Sequence, residues 1–105
     1  MSQQKEILQW ANDTFGPIAS DKEERVKRFA EEAIELCHAC GANYNDLLKL
    51  VDAVYAKTNG NTTTEIGQVG VCLLTLSEVY HVDALDEIDK EFDRVRSFNK
   101  EYWQA

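Results

Sequence analysis

At 105 residues the chain is long enough for one domain, residues 1–105, with a core just large enough to fold alone. Its 44% hydrophobic content is that of a globular protein, and no apolar run approaches the roughly 20 residues of a membrane-spanning helix, so no membrane partner is expected. Nineteen acidic against eleven basic residues leave a net charge of −8, which disfavours DNA, RNA and anionic lipid as partners because all three select positive surfaces.

The opening MSQQKEILQW lacks the basic-then-apolar layout of a secretory signal, and the expected location is the cytoplasm. The chain reads as helices separated by short turns, with no convincing period-2 strand, which predicts an all-α fold of four to five helices in a bundle. The first helix is expected over residues 3–14, carrying Ile7, Leu8, Trp10 and Ala11 and stopping before Gly16-Pro17. Ser20, with Glu23 three residues on, has the form of a capping box and opens a long second helix that runs to Cys40, with Gly41 as its stop. Asn43 or Asn45 caps a third helix, whose Leu47, Leu48, Val51, Val54 and Tyr55 are spaced for burial and which ends at Asn59-Gly60-Asn61. Thr62, Thr63 and Thr64 offer N-caps for a fourth, and Asp83 caps a fifth with Leu85, Ile88, Phe92, Val95 and Tyr102 on one face. The sequence contains no internal repeat, no low-complexity segment and no linker.

Three cysteines, an odd number, argue against a secreted disulfide framework. Cys37 and Cys40 fall at the C-terminal end of the second helix, where the helix dipole opposes a thiolate. Cys40 shares a stripe with Phe29, Ala33 and Leu36, so buried thiols are expected, with metal or redox use as the alternative. His38 and His81 have no partner at ligand spacing and read as surface residues.

The second and fourth helices carry the chemistry. Glu31, Glu32 and Glu35 are i, i+3 and i, i+4 neighbours on an arc beside the apolar stripe, an arrangement that brings carboxylates together. An acidic helix face is ordinarily just solvated. Glu65, however, falls near the centre of the stripe formed by Val69, Cys72, Leu73, Leu76, Val79 and Tyr80, and a carboxylate expected to point inward needs a positive partner. All-oxygen ligation without His or Cys suits Mg²⁺ or Mn²⁺ rather than zinc. Residues 66–76 are apolar almost all round, with Gly67 and Gly70 on the side away from the stripe. A small bundle cannot cover such a helix on every side, so a homo-oligomer is expected, at least a dimer, with this helix near the contact.

These residues resemble the all-α nucleoside triphosphate pyrophosphohydrolases, the MazG-like group, over nearly the whole chain. The likeness is carried by Trp10, Phe15, Gly16 and Pro17, by Arg25-x-x-Arg28-Phe29-x-Glu31-Glu32-x-x-Glu35-Leu36, by Gly60 and Glu65-Ile-Gly-Gln-Val, and by the stretch 85–96. The Glu-x-Gly form of the second motif looks closest to phage and prophage enzymes acting on purine deoxynucleoside triphosphates. The resemblance implies hydrolysis of a nucleoside triphosphate, a purine such as dGTP or dATP, to the monophosphate and pyrophosphate. It implies Glu32, Glu35 and Glu65 as metal ligands, with Glu31 holding a second metal or orienting the water. Lys90, Arg94, Arg96 and Lys100 are candidates to meet phosphate charge. Trp10 and Phe29 are candidates to stack on a base, although both read first as packing. Dimers or tetramers with sites near subunit boundaries are implied as well. Gln68 stands where much of the family has Asp: its carbonyl can ligate a metal or hold a water, but it brings no charge. Pyrimidine deoxynucleotide or phosphoribosyl-ATP pyrophosphohydrolysis, and a non-catalytic nucleotide-binding or scaffold oligomer, are the competing readings.

Overall fold

A computed structural model describes residues 2–98, which puts Lys100 and Tyr102 outside the described residues. The fold among the described residues is all-α, without strands: α1 (Gln3–Phe15), a 3-10 turn (Pro17–Ser20), α2 (Lys22–Ala39), α3 (Tyr44–Tyr55), α4 (Thr62–Val79) and α5 (Ala84–Arg96). The chain divides into two compact units, Met1–Thr58 and Asn59–Ala105.

In the first unit, the Ser2 hydroxyl accepts the Lys5 N–H to open α1, and Gly16 closes it at φ 86°, donating its N–H to the Asn12 carbonyl. Pro17 presets the first residue of the 3-10 turn, which packs on both α1 and α2. Ala11 and Ala19 are buried there, and the Ser20 hydroxyl donates to Asn12 Oδ1 at 2.9 Å. This corrects the expected start of the second helix. Ser20 belongs to the turn and its hydroxyl is committed to α1, so Asp21 is the N-cap and accepts the Glu24 N–H at 2.9 Å.

The α2–α3 connection is a Schellman motif. Gly41 takes φ 87°, its N–H donates to the His38 carbonyl at 3.0 Å, and the Ala42 N–H donates to the Cys37 carbonyl at 2.9 Å. Asn43, rather than Asn45, then caps α3 by accepting the N–H groups of Asn45 and Asp46. α3 ends at Tyr55, four residues before Asn59-Gly60-Asn61.

The second unit repeats this plan. Asn61 is the N-cap of α4 and accepts the Thr64 N–H at 3.1 Å, so the three threonines form the first turn instead of capping it. At the far end His81 takes the left-handed position at φ 59°. Its N–H donates to the Glu78 carbonyl, and the Val82 N–H donates to the Ser77 carbonyl at 2.9 Å. Asp83 caps α5 as expected, accepting the Asp86 N–H at 3.0 Å. α4 packs on α5, where Ala84 and Phe92 are buried and Ile88 and Val95 half-buried, while Leu85 is exposed.

The apolar residues spaced for burial on α2, α3 and α4 are largely open: Phe29, Val51, Val54, Ile66 and Val71 are all exposed. Packing in each unit joins neighbouring elements and leaves these faces uncovered. No described helix is long and apolar enough to cross a membrane.

Candidate functional site

α2 carries two sets of carboxylates with different fates. Glu23 and Glu24 in its first turn are paired, with Lys27 at 3.6 Å and Arg28 at 3.0 Å. Glu31, Glu32 and Glu35 are exposed, and among the described residues none of them has an ion pair or hydrogen bond. The order of charges explains the split. A helical side chain leans toward the N-terminus, so an acid four residues before a base pairs better than the reverse. Lys27 and Arg28 therefore reach back to Glu23 and Glu24, and leave Glu31 and Glu32 unanswered. Four residues after the three acids stand Glu35, Leu36 and Ala39, and no cation closes the series.

Glu65 is exposed where an inward place was expected, because the α4 stripe is itself uncovered: Val69, Leu73, Val79 and Tyr80 are exposed too. It lies in the first turn, where the N-terminal lean carries the side chain past the end of the helix. The carboxylate folds back over Gly60: a Cβ built on Gly60 would lie 2.6 Å from Glu65 Oε1 and 3.2 Å from its Cδ and Cγ. Gln68, one turn on, is exposed too. Among the described residues no group of three or more His, Cys, Asp or Glu side chains is gathered around a metal position.

The candidate cations of α5 are occupied by their own helix. Lys90 Nζ lies 3.0 Å from Asp86 and 3.4 Å from Glu87, and its hydrogen bond to Asp86 is the main reason its pKa is raised. Arg94 Nε donates to Glu91 at 2.9 Å, which holds the Glu91 carboxyl below its ordinary range, and the guanidinium lies over the Phe98 ring at 5.2 Å. Arg96 pairs with Asp93 and stacks over Phe92 at 4.1 Å. Exposed pairs of this kind are weak, because solvent screens them, so another anion can displace them.

Trp10 is half-buried and packs edge-on against Phe15, with ring centroids 5.7 Å apart at 84°, in keeping with a packing role. Phe29, which read first as core, is 57% exposed on the helix that bears the unpaired acids. Cys37 and Cys40 are half-buried where full burial was expected, because the α2 stripe is open, and Cys72 is exposed. His38 and His81 are surface residues.

Two features were not singled out from sequence. Gly60 read only as a turn, although its fixed distance from Glu65 was the available signal. The other is a cavity of about 520 Å³ at the α4–α5 connection, lined by Leu74, Ser77, Glu78, His81, Val82, Asp83, Ala84 and Leu85. Its polar groups are partly committed elsewhere: the Ser77 hydroxyl donates to the Leu73 carbonyl, and Asp83 caps α5. No family model, curated protein or solved structure matches the chain.

Proposed function

We propose that the chain is a metal-dependent nucleoside triphosphate pyrophosphohydrolase of the MazG-like kind, acting on a purine deoxynucleotide such as dGTP or dATP. The observation that carries the reading is the unpaired set Glu31, Glu32 and Glu35 on α2. The same helix supplies two neighbouring acids with basic partners and withholds them from these three. Exposed, uncommitted carboxylate oxygens are the donor chemistry of Mg²⁺ or Mn²⁺. Glu32, Glu35 and Glu65 are assigned as metal ligands, with the Gln68 amide oxygen as a neutral fourth donor. A bound Mg²⁺ or Mn²⁺ supplies neutralisation of triphosphate charge and a more acidic water.

Glu31 is assigned to receive the proton of a water attacking the α-phosphorus. The bond from that phosphorus to the α–β bridging oxygen breaks, and pyrophosphate leaves with the bonding pair. Lys90 and Arg94 meet the remaining phosphate charge by exchanging their weak intrahelical partners, and Phe29 offers an exposed ring face to the base. In this reading the helices assemble as a bundle within a cytoplasmic homodimer or homotetramer, which covers the open faces of α2, α3 and α4.

A panel of ribo- and deoxynucleoside triphosphates with Mg²⁺ or Mn²⁺, scored for pyrophosphate, tests the proposal. Highest turnover is expected on dGTP or dATP. A preference for pyrimidines or phosphoribosyl-ATP would move the chain to a sibling activity. No pyrophosphate from any substrate would leave the non-catalytic binding protein, the reading that the neutral Gln68 favours.

A further inference from the structure

We propose that Asn59-Gly60 is a self-modification site, where the Gly60 amide nitrogen closes on the Asn59 side chain and converts it to isoaspartate or aspartate. The reaction needs an uncommitted asparagine side chain, an uncommitted N–H on the next residue, and a backbone free to bring the two together. Glycine suits the second place best, because it has no Cβ to shield the nitrogen and the widest choice of φ and ψ.

The other described asparagines show what protection looks like in this fold. Asn12 lies within α1, and its Oδ1 accepts the Ser20 hydroxyl at 2.9 Å. Asn43 and Asn61 are N-caps whose side chains hold the first turns of α3 and α4. Asn45 lies within α3, and the Asp46 N–H that follows it is bonded to Asn43 Oδ1 at 3.2 Å. A helix also fixes the backbone that ring closure would have to bend. None of these four is followed by glycine.

Asn59 has none of these restraints. It falls between α3 and α4 in a stretch without regular structure, and both Asn59 and Gly60 are exposed. Among the described residues, neither of them makes a hydrogen bond through its main chain or side chain.

In the first step the Gly60 nitrogen bonds to Asn59 Cγ, and the bond from Cγ to Nδ2 breaks. The proton of the Gly60 N–H passes through solvent to the leaving nitrogen, which departs as ammonia. Water then opens the five-membered imide. Opening at the side-chain carbonyl leaves aspartate; opening at the main-chain carbonyl leaves isoaspartate, whose main chain is one methylene longer. Either product makes the chain one charge more negative than −8. The new carboxylate stands just ahead of the Asn61 cap, where the positive end of the α4 dipole favours it. The modification therefore accumulates with the age of the molecule and leaves the helices standing.

The test holds the whole chain at neutral pH and physiological temperature, folded in buffer and unfolded in guanidinium chloride. Samples taken over days are peptide-mapped by mass spectrometry. Isoaspartate is scored by methyl transfer from S-adenosylmethionine with an isoaspartyl methyltransferase. Folded wild type is expected to convert at Asn59 as fast as the unfolded chain, with isoaspartate among the products and Asn12, Asn43, Asn45 and Asn61 intact. Conversion at Asn59 that is absent or much slower in the folded chain would show that the loop keeps the pair apart, and would overturn the proposal. Gly60→Ala is expected to remove most of the isoaspartate signal, with an unchanged melting temperature as the check that it folds. Conversion just as fast in Gly60→Ala would remove the role given to Gly60, and aspartate as the sole product would mean direct hydrolysis of the side-chain amide. Either result refutes the ring closure proposed for this pair.

Discussion

The pairs α2–α3 and α4–α5 are built to one plan from unlike sequences. Each begins with an 18-residue helix. The landmarks recur at a constant interval: N-caps at Asp21 and Asn61, left-handed residues at Gly41 and His81, second caps at Asn43 and Asp83. The helix bodies between these landmarks differ in kind. α2 alternates bases, acids and an apolar stripe, whereas α4 has Glu65 in its first turn, Gln68 one turn on and Glu78 near its end, and is otherwise apolar or small. A few capping and turn residues are enough to set the path of the backbone. The bodies are then free to specialise, one for charge and the other for contact.

The largest effect expected from breaking the comparison concerns whether both bodies serve one chemistry. Glu32→Gln on α2 and Glu65→Gln on α4 should each lower pyrophosphate release by at least about 100-fold, roughly 2.7 kcal/mol in barrier, with the melting temperature nearly unchanged because both groups are exposed. Full turnover in Glu65→Gln would confine the chemistry to α2.

The second test takes the apolar body of α4. A Cβ on Gly70 would meet nothing within 4 Å, so a bulky charged residue fits the separate chain and obstructs only a close neighbour. Wild-type protein should scatter light as a multiple of 12.0 kDa, and Gly70→Arg should shift the mass downward and reduce activity. A wild-type mass of one chain at micromolar concentration would remove the assembly from the reading.

The shared turns differ in which residue takes the left-handed position, Gly41 in one and His81 in the other. A left-handed conformation costs an ordinary L-residue roughly 1–2 kcal/mol, and glycine largely escapes this. Gly41→Ala should therefore destabilise by about 1 kcal/mol in urea titration, and His81→Gly should stabilise by up to about 1 kcal/mol. A loss on His81→Gly would mean that the imidazole makes a contact outweighing the strain, and that the two turns are not equivalent.

The smallest effect lies on α5, which has pairs α3 lacks. The Glu91 pKa is lowered in the folded protein by the Arg94 hydrogen bond. Its stabilising contribution is therefore complete above the ordinary carboxylate range and is lost as pH falls through the lowered value. Lys90, raised chiefly by Asp86, contributes below the ordinary lysine range and loses this as pH rises through its raised value. Arg94→Gln should make the acid limb of the stability–pH curve shallower by a small amount and leave the alkaline limb alone. An unchanged acid limb would show that the pair contributes nothing in solution.

Helix existence was legible throughout, because caps and periodicity act within a few residues: Asp83, Gly41 and the Gly16-Pro17 stop all behave as local chemistry dictates. The start of α2 was misread because Ser20 is a good cap in isolation, and only its bond to Asn12, eight residues back, removes it from contention. The three α2 acids were legible as a group, and so was the reason they lack partners, since i, i+4 order is a property of sequence.

Glu65 was not. Angular position on a helical wheel placed it among apolar residues, but those residues are themselves exposed, so sharing their face does not bury it, and its carboxylate lies back where Gly60 leaves room. The sequence by itself determined the helices, their caps, the charge order along α2 and the all-α class, because each depends on interactions a few residues long. Where Ser20 spends its hydroxyl, where the Glu65 carboxylate lies and which apolar faces stay uncovered were decided only in three dimensions. Those outcomes depend on how space is filled between elements, and helical spacing carries no record of that.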